Sequence, residues 1–123
     1  DEHGFAEILH SGKEITPQHY SNRDGSGFGV LPAGRSNQPD ELYQFEKVAQ
    51  TLINLHRQAD LLIIDAPSLS SADASMLIAQ ADGVLFVIKS GRTKISSAIS
   101  AAQQLKRQGV QMLGIVLNCT PEV

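Results

Sequence analysis

Three short apolar runs organise the second half of the chain: Leu61–Ile64, Val84–Ile88 and Leu113–Leu117. Asp65-Ala66-Pro67 stops the first, Asp82-Gly83 opens the second, and Asn118 stops the third. Runs this short, uninterrupted and rich in β-branched residues predict strands buried on both faces. Between them the apolar spacing becomes helical. One helical pattern covers roughly 72–81. A second covers 94–108, with Ile95, Ala98, Ile99, Ala102 and Leu105 on one face and Gly109 just past its end, where a left-handed residue is needed. Strand, helix, strand, helix, strand predicts a parallel sheet joined by right-handed crossovers.

The first forty residues read as loop-rich. Phe5, Ala6, Ile8 and Leu9 suggest a short amphipathic turn or helix. Gly25, Gly27 and Gly29 in a polar setting read as a flexible connector into a short strand, Phe28–Leu31, which Pro32-Ala33-Gly34 ends. Pro39-Asp40-Glu41 opens a helix, because proline suits the first turn and acids suit the positive end of the helix dipole. Leu42, Phe45, Val48, Leu52 and Leu55 then recur at spacings of three and four, one buried stripe running to about Gln58. The expected architecture is a single α/β domain over residues 1–123, with a parallel sheet of about four strands flanked by helices.

Composition narrows the function classes. At 123 residues the chain is one domain's worth, and its formal charge of −3 argues against a nucleic-acid-binding surface. An apolar fraction of 41% with 19% charged residues fits a globular protein. The single cysteine, Cys119, excludes an internal disulfide and fits a reducing compartment. No apolar run approaches the roughly 20 residues that span a bilayer. The N-terminus lacks the basic and apolar regions of a signal peptide. It also lacks an initiator methionine, so a processed chain or a piece of something longer is expected.

In an open parallel sheet, ligands bind beyond the carboxyl ends of the strands. The residues expected there are Pro32 to Gly34, then Asp65 to Ser68, then Lys89, Ser90, Gly91 and Arg92, then Asn118, Cys119 and Thr120. Asp65 is the sharpest of them. Four apolar residues ending in Asp match a Walker B strand, whose carboxylate serves Mg²⁺ directly or through water. A strand-capping Asp gives the same pattern. Asp73, eight residues on, reads as a helix-terminus acid worth about 0.5 kcal/mol through the dipole.

Other patterns carry less. Gly25-Ser-Gly27-Phe-Gly29 precedes a strand, whereas a dinucleotide fingerprint follows one and opens a helix. His3, His10, His19 and His56 lack metal-site spacing. Ser68, Ser70 and Ser71 lack a G-x-S-x-G setting and read as loop and cap residues. Lys106-Arg107 is explained by the dipole at a helix C-terminus.

Taken together, Asp60-Leu-Leu-Ile-Ile-Asp65-Ala-Pro67, Ser71-Ala-Asp73-Ala, Ala81-Asp-Gly-Val-Leu-Phe-Val-Ile-Lys89-Ser-Gly91-Arg92-Thr93 and Leu113-Gly-Ile-Val-Leu-Asn118 resemble the second half of a bacterial tyrosine kinase domain. These are the autokinases attached to polysaccharide chain-length regulators, in the wider MinD- and ParA-like group of P-loop ATPases. Gly4-Phe-Ala-Glu-Ile-Leu9 resembles the segment after the family's second motif. Val30-Leu-Pro-Ala-Gly34 with Pro39-Asp-Glu-Leu42 resembles its LPAG…NP.ELL stretch.

The resemblance implies Asp65 as the Walker B carboxylate for Mg²⁺ and Asn118 facing the adenine of ATP, with a strand-end amide cap as the plainer reading of Asn118. It puts Lys89 and Arg92 near the nucleotide rim or a subunit contact, against the plainer reading of a solvated turn. It implies a P-loop NTPase-like fold, a cytoplasmic location at the inner face of the inner membrane, a membrane chain-length regulator as partner, and ring-like homo-oligomers.

No G-x-x-x-x-G-K-[ST] occurs in these residues, and Gly12-Lys13 is followed by Glu14. The family's second Walker-type motif and tyrosine-rich tail are also missing; the tyrosines are Tyr20 and Tyr43. The fold is therefore expected to lack the Walker A strand, normally central and beside the Walker B strand. The gap leaves two apolar strand edges to be closed up, filled by another chain, or filled by preceding sequence. Three functions follow: a kinase portion active only when joined to its Walker A half; a catalytically dead binding or regulatory module of the same pathway; or a MinD/ParA-like ATPase fragment. The chain alone is expected to have no appreciable kinase activity.

Overall fold

A computed structural model describes residues 4–13, 15–35 and 45–121. The chain forms two compact units, Asp1–Leu62 and Ile63–Val123.

The first unit contains α1 (Phe5–Ser11), an antiparallel hairpin of β1 (Gln18–Ser21) and β2 (Gly27–Val30), and α2 (Phe45–His56). The short helix expected near Phe5 is α1. Its N-terminal donors, which have no partner within the helix, are satisfied by the LPAG stretch: the Phe5 and Ala6 N–H groups donate to the Pro32 and Ala33 carbonyls, each at 2.9 Å. Glu7 clamps the same junction, accepting from the N–H of Gly4 at 2.6 Å and of Arg35 at 2.9 Å. At its other end Gly12 adopts φ 65° and returns its N–H to the Ile8 carbonyl. Helices α1 and α2 pack together, and Ala6, Leu9, Val48 and Leu52 are this unit's buried apolar residues. One member of the expected α2 stripe differs: Phe45 is exposed. Another, Leu42, lies outside the described residues with the proposed helix start at Pro39.

The glycine-rich stretch is an ordered turn rather than a flexible connector. The Asn22 N–H donates to the Ser26 carbonyl at 2.7 Å, and Gly25 takes φ 85°. Asp24 accepts from both the N–H and the hydroxyl of Ser26. Residues Phe28 to Val30 are a strand as expected, but they pair antiparallel with β1 instead of joining the parallel sheet. The local side-chain bonds of Asn22 and Asp24 close the chain back on itself, which sequence reading weighed only as flexibility.

The second unit holds α3 (Ala72–Ile78), β3 (Val84–Lys89), α4 (Ile95–Arg107) and β4 (Met112–Asn118). Strands β3 and β4 pair in parallel, with α4 as the crossover. Ser71 caps α3 by accepting from the Asp73 N–H. Helix α4 ends as its sequence predicts: Gly109 has φ 71°, the Val110 N–H reaches the Leu105 carbonyl and the Gly109 N–H reaches Lys106. The core is Ala74, Ile78 and Leu105, with Leu69, Val84, Phe86 and Val110 packed against it. Of the expected α4 stripe, Leu105 is fully buried, but Ile95 is 80% exposed and Ile99 is exposed too.

This is the α/β architecture that the sequence predicts, with a smaller parallel ladder. Among the described residues two strands pair in parallel, not about four. Leu61–Ile64, expected as a strand, carries no ladder pairing; its residues alternate between exposed and half-buried, and Ile63 is 82% exposed. A strand needs a neighbour to complete its hydrogen bonds, and the described residues supply none to this segment. The sheet has not closed up around the expected gap.

Candidate functional site at the carboxyl rim of the parallel strands

The register of β3 against β4 sets the geometry of the rim. Lys89 pairs with Asn118, the last residues of the two strands. The Ser90 N–H donates to the Asn118 carbonyl at 2.8 Å, which extends the pairing one step past the strands. The chain then turns sharply. Thr93 and Arg92 direct their N–H groups to the Lys89 carbonyl at 3.0 and 3.3 Å, Gly91 takes φ 70°, and the Thr93 hydroxyl accepts from the Lys89 N–H at 3.2 Å. The turn is thus fixed by its own backbone and by one hydroxyl. Among the described residues, neither the ammonium of Lys89 nor the guanidinium of Arg92 is spent in an ion pair, and neither are the carboxylates of Asp65 and Asp73.

Asn118 spends half of its side chain locally. Its Oδ1 accepts from the Cys119 N–H at 2.8 Å, which leaves Nδ2 as a donor. That bond holds the next residue in an unusual conformation: Cys119 has φ 57°, the one positive φ outside glycine among the described residues. Local strain of this kind fixes where a strand ends and where its last side chain projects. Cys119 itself is exposed.

Asp65 is exposed and directly follows the unpaired Leu61–Ile64 segment, in the same unit as the rim. The ladder brings Lys89, Arg92 and Asn118 to one rim; it does not include Asp65. No cluster of three or more His, Cys, Asp or Glu residues able to hold a metal occurs among the described residues. A single carboxylate suits an ion such as Mg²⁺ only when phosphate oxygens and water complete its shell. Following Asp65, Ser68 and Ser70 share a hydroxyl–hydroxyl bond at 3.0 Å, and the Ser71 N–H donates to the Ser68 carbonyl, so this stretch acts as a turn and helix cap. The part of Thr93 in the rim was missed by sequence reading. A threonine four residues beyond a strand end is the signal that could have found it.

No helix among the described residues is long and apolar enough to cross a membrane.

Comparison with known proteins places the chain beside several others. No family model matches it. It is 32% identical over 94 residues to the tyrosine-protein kinase CpsD of Streptococcus agalactiae, spanning 72% of this chain and 40% of that protein. It is 27% identical over 122 residues to the tyrosine-protein kinase etk of Escherichia coli K12, spanning 96% of this chain and 16% of that one. An uncharacterized ATP-binding protein of Methanocaldococcus jannaschii is 30% identical over 92 residues, 75% of this chain and 35% of its own. The crystal structure of the VpsO kinase domain superposes with a TM-score of 0.78 at 24% identity, covering 98% of this chain and 60% of that one. The chain therefore spans about two fifths or less of the curated relatives' length.

Proposed function

Starting from its homology to part of the bacterial tyrosine kinases of the P-loop type, we propose that the chain supplies the Walker B and base-facing portion of an ATP-dependent tyrosine autokinase domain. The pathway is capsule and exopolysaccharide biosynthesis and export. The observation that carries this reading is the shared rim: Lys89 and Asn118 end in register, and among the described residues the two cations and the Asn118 amide N–H₂ have no partner. A triphosphate needs cations near its phosphates, and adenine offers acceptors to an amide donor.

Asp65 would serve Mg²⁺, with the triphosphate supplying most of the remaining ligands. The phosphate-cradling loop would come from a segment outside residues 1–123. The state of β3 supports this. Its run Val-Leu-Phe-Val-Ile has the composition of a central strand, yet β3 pairs on one side only, and Leu85 and Val87 are each 55% exposed. An added strand on that edge would complete the ladder, and a layer over the face that Leu85 and Val87 share would bury them. Without a glycine-rich loop and its lysine on the β- and γ-phosphates, phosphoryl transfer loses its main electrostatic stabilisation, so the chain alone is inactive. The completed domain would work at the cytoplasmic face of the inner membrane, held there by a chain-length regulator, as a ring-like homo-oligomer.

The test is titration of the chain with a fluorescent ATP analogue, with and without Mg²⁺. Saturable, Mg²⁺-dependent binding that Asp65→Ala weakens is expected once the Walker A segment is supplied. Binding unaffected by Asp65→Ala and by Mg²⁺ would defeat the assignment.

A further inference from the structure

The sequence offers two tyrosines, and Tyr43 lies outside the described residues. Tyr20 is in the middle of β1 and 45% exposed. Its ring stacks on Phe28, its register partner on β2, with centroids 5.2 Å apart and planes 18° from parallel. The stack fixes the ring at one face of the hairpin and leaves its hydroxyl without a hydrogen-bond partner among the described residues. The opposite face is built differently: His19 and Pro17 lie beside Gly29.

Three features make this a site that an enzyme can reach. All four residues of β1 are exposed, and among the described residues no strand pairs with the second edge of β1. An open, extended edge is the backbone form that a second protein can pair with. No bond to a described residue has to break before the phenol oxygen reacts. Arg23, in the turn directly after β1, makes no ion pair among the described residues and is placed to meet a dianion.

We infer that Tyr20 is a phosphate acceptor for a P-loop tyrosine kinase, acting in trans on this hairpin. The inference rests on the reading that this chain works within a tyrosine-kinase assembly. The phenolic oxygen attacks the γ-phosphorus of ATP. An O–P bond forms, the bond from that phosphorus to the β,γ-bridging oxygen breaks, ADP leaves, and the phenolic proton passes to a base or to water. Phosphorylation places the new dianion at the hairpin face while the Tyr20 ring keeps its stack on Phe28.

The experiment incubates the purified chain with ATP, Mg²⁺ and a CpsD-type tyrosine kinase whose own autophosphorylation has been verified, followed by phosphopeptide mapping. One phosphate on the Tyr20 peptide, abolished in Tyr20→Phe, is expected. Tyr20→Phe keeps an aromatic ring against Phe28, and circular dichroism shows that the variant is folded. Phosphate on Tyr43 alone, or an unmodified chain beside an active kinase, overturns the inference. Because the enzyme is supplied separately, a chain that fails to bind nucleotide can still pass this test, so the two readings fail independently.

Discussion

Lys89 and Asn118 are register partners at the ends of two parallel strands, and the bond from the Ser90 N–H to the Asn118 carbonyl locks that pairing at 2.8 Å. A cation and an amide separated by 29 positions in the sequence are thereby delivered to one rim by backbone geometry alone. The local bond between Asn118 Oδ1 and the Cys119 N–H then sets how that rim ends.

Asn118→Ala removes an exposed turn bond together with a side chain directed to the rim. Chemical denaturation is expected to show a small loss, about 0.5–1.5 kcal/mol. Nucleotide binding by the completed domain is expected to fall by more than that loss explains, measured by titration with the fluorescent ATP analogue. Equal binding by variant and wild type would return Asn118 to a purely structural role.

Leu105 is fully buried between α4 and the parallel strands, whereas Ile95, on the same helix, faces solvent. Leu105→Ala should cost about 2–5 kcal/mol in guanidinium unfolding, through lost transfer energy and the cavity left behind. Ile95→Ser should stay within about 0.5 kcal/mol of the parent. Similar losses in both would mean that the solvent-facing stripe is covered.

Gly4→Ala tests the junction between α1 and the LPAG stretch. A Cβ at Gly4 would clash with the Pro32 carbonyl oxygen and carbon and the Gly34 N–H, so the backbone must move and the Phe5 and Ala6 bonds must lengthen. Steric insertions of this kind typically cost about 1–3 kcal/mol. Urea melts of the variant read the cost directly, and an unchanged midpoint would show that α1 does not depend on this contact.

Asp24 gives the hairpin a pH dependence. The Ser26 hydroxyl and N–H hold its carboxyl below the ordinary value of 3.8. Because the folded-state value is depressed, its contribution is fully present above that ordinary value and disappears as pH falls through the lower folded-state value. NMR signals of the Tyr20 and Phe28 rings should therefore hold through mildly acidic pH and shift only in strong acid. Asp24→Asn should remove that acid step; a step of the same size in the variant would assign it to another group.

Much of the second unit was legible from the sequence because its signals are local. The spacing of Ala98, Ala102 and Leu105 gives α4, Gly109 ends it through its own conformational freedom, and Asp82-Gly83 opens β3. The misses share one cause. Ile95 and Ile99 fit a helical stripe as well as Leu105 does, but periodicity cannot say how much of an apolar stripe a neighbour covers. Residues 22–26 looked like a flexible linker because the value of Asp24 and Asn22 lies in specific bonds to Ser26. Asp65 was recognised from its pattern, but the pattern assumed a paired strand.

The sequence by itself determined the identity of the helices, the two parallel strands and the residues at their ends, since hydrophobic period, caps and turn residues act over a few positions. Only the tertiary structure decided the pairing: that Lys89 meets Asn118, that Phe28 meets Tyr20, and that Leu61–Ile64 has no strand beside it among the described residues. The physical reason is that a strand's hydrogen bonds are completed by a partner distant in the chain. An apolar run states its need for a neighbour without saying which one meets it.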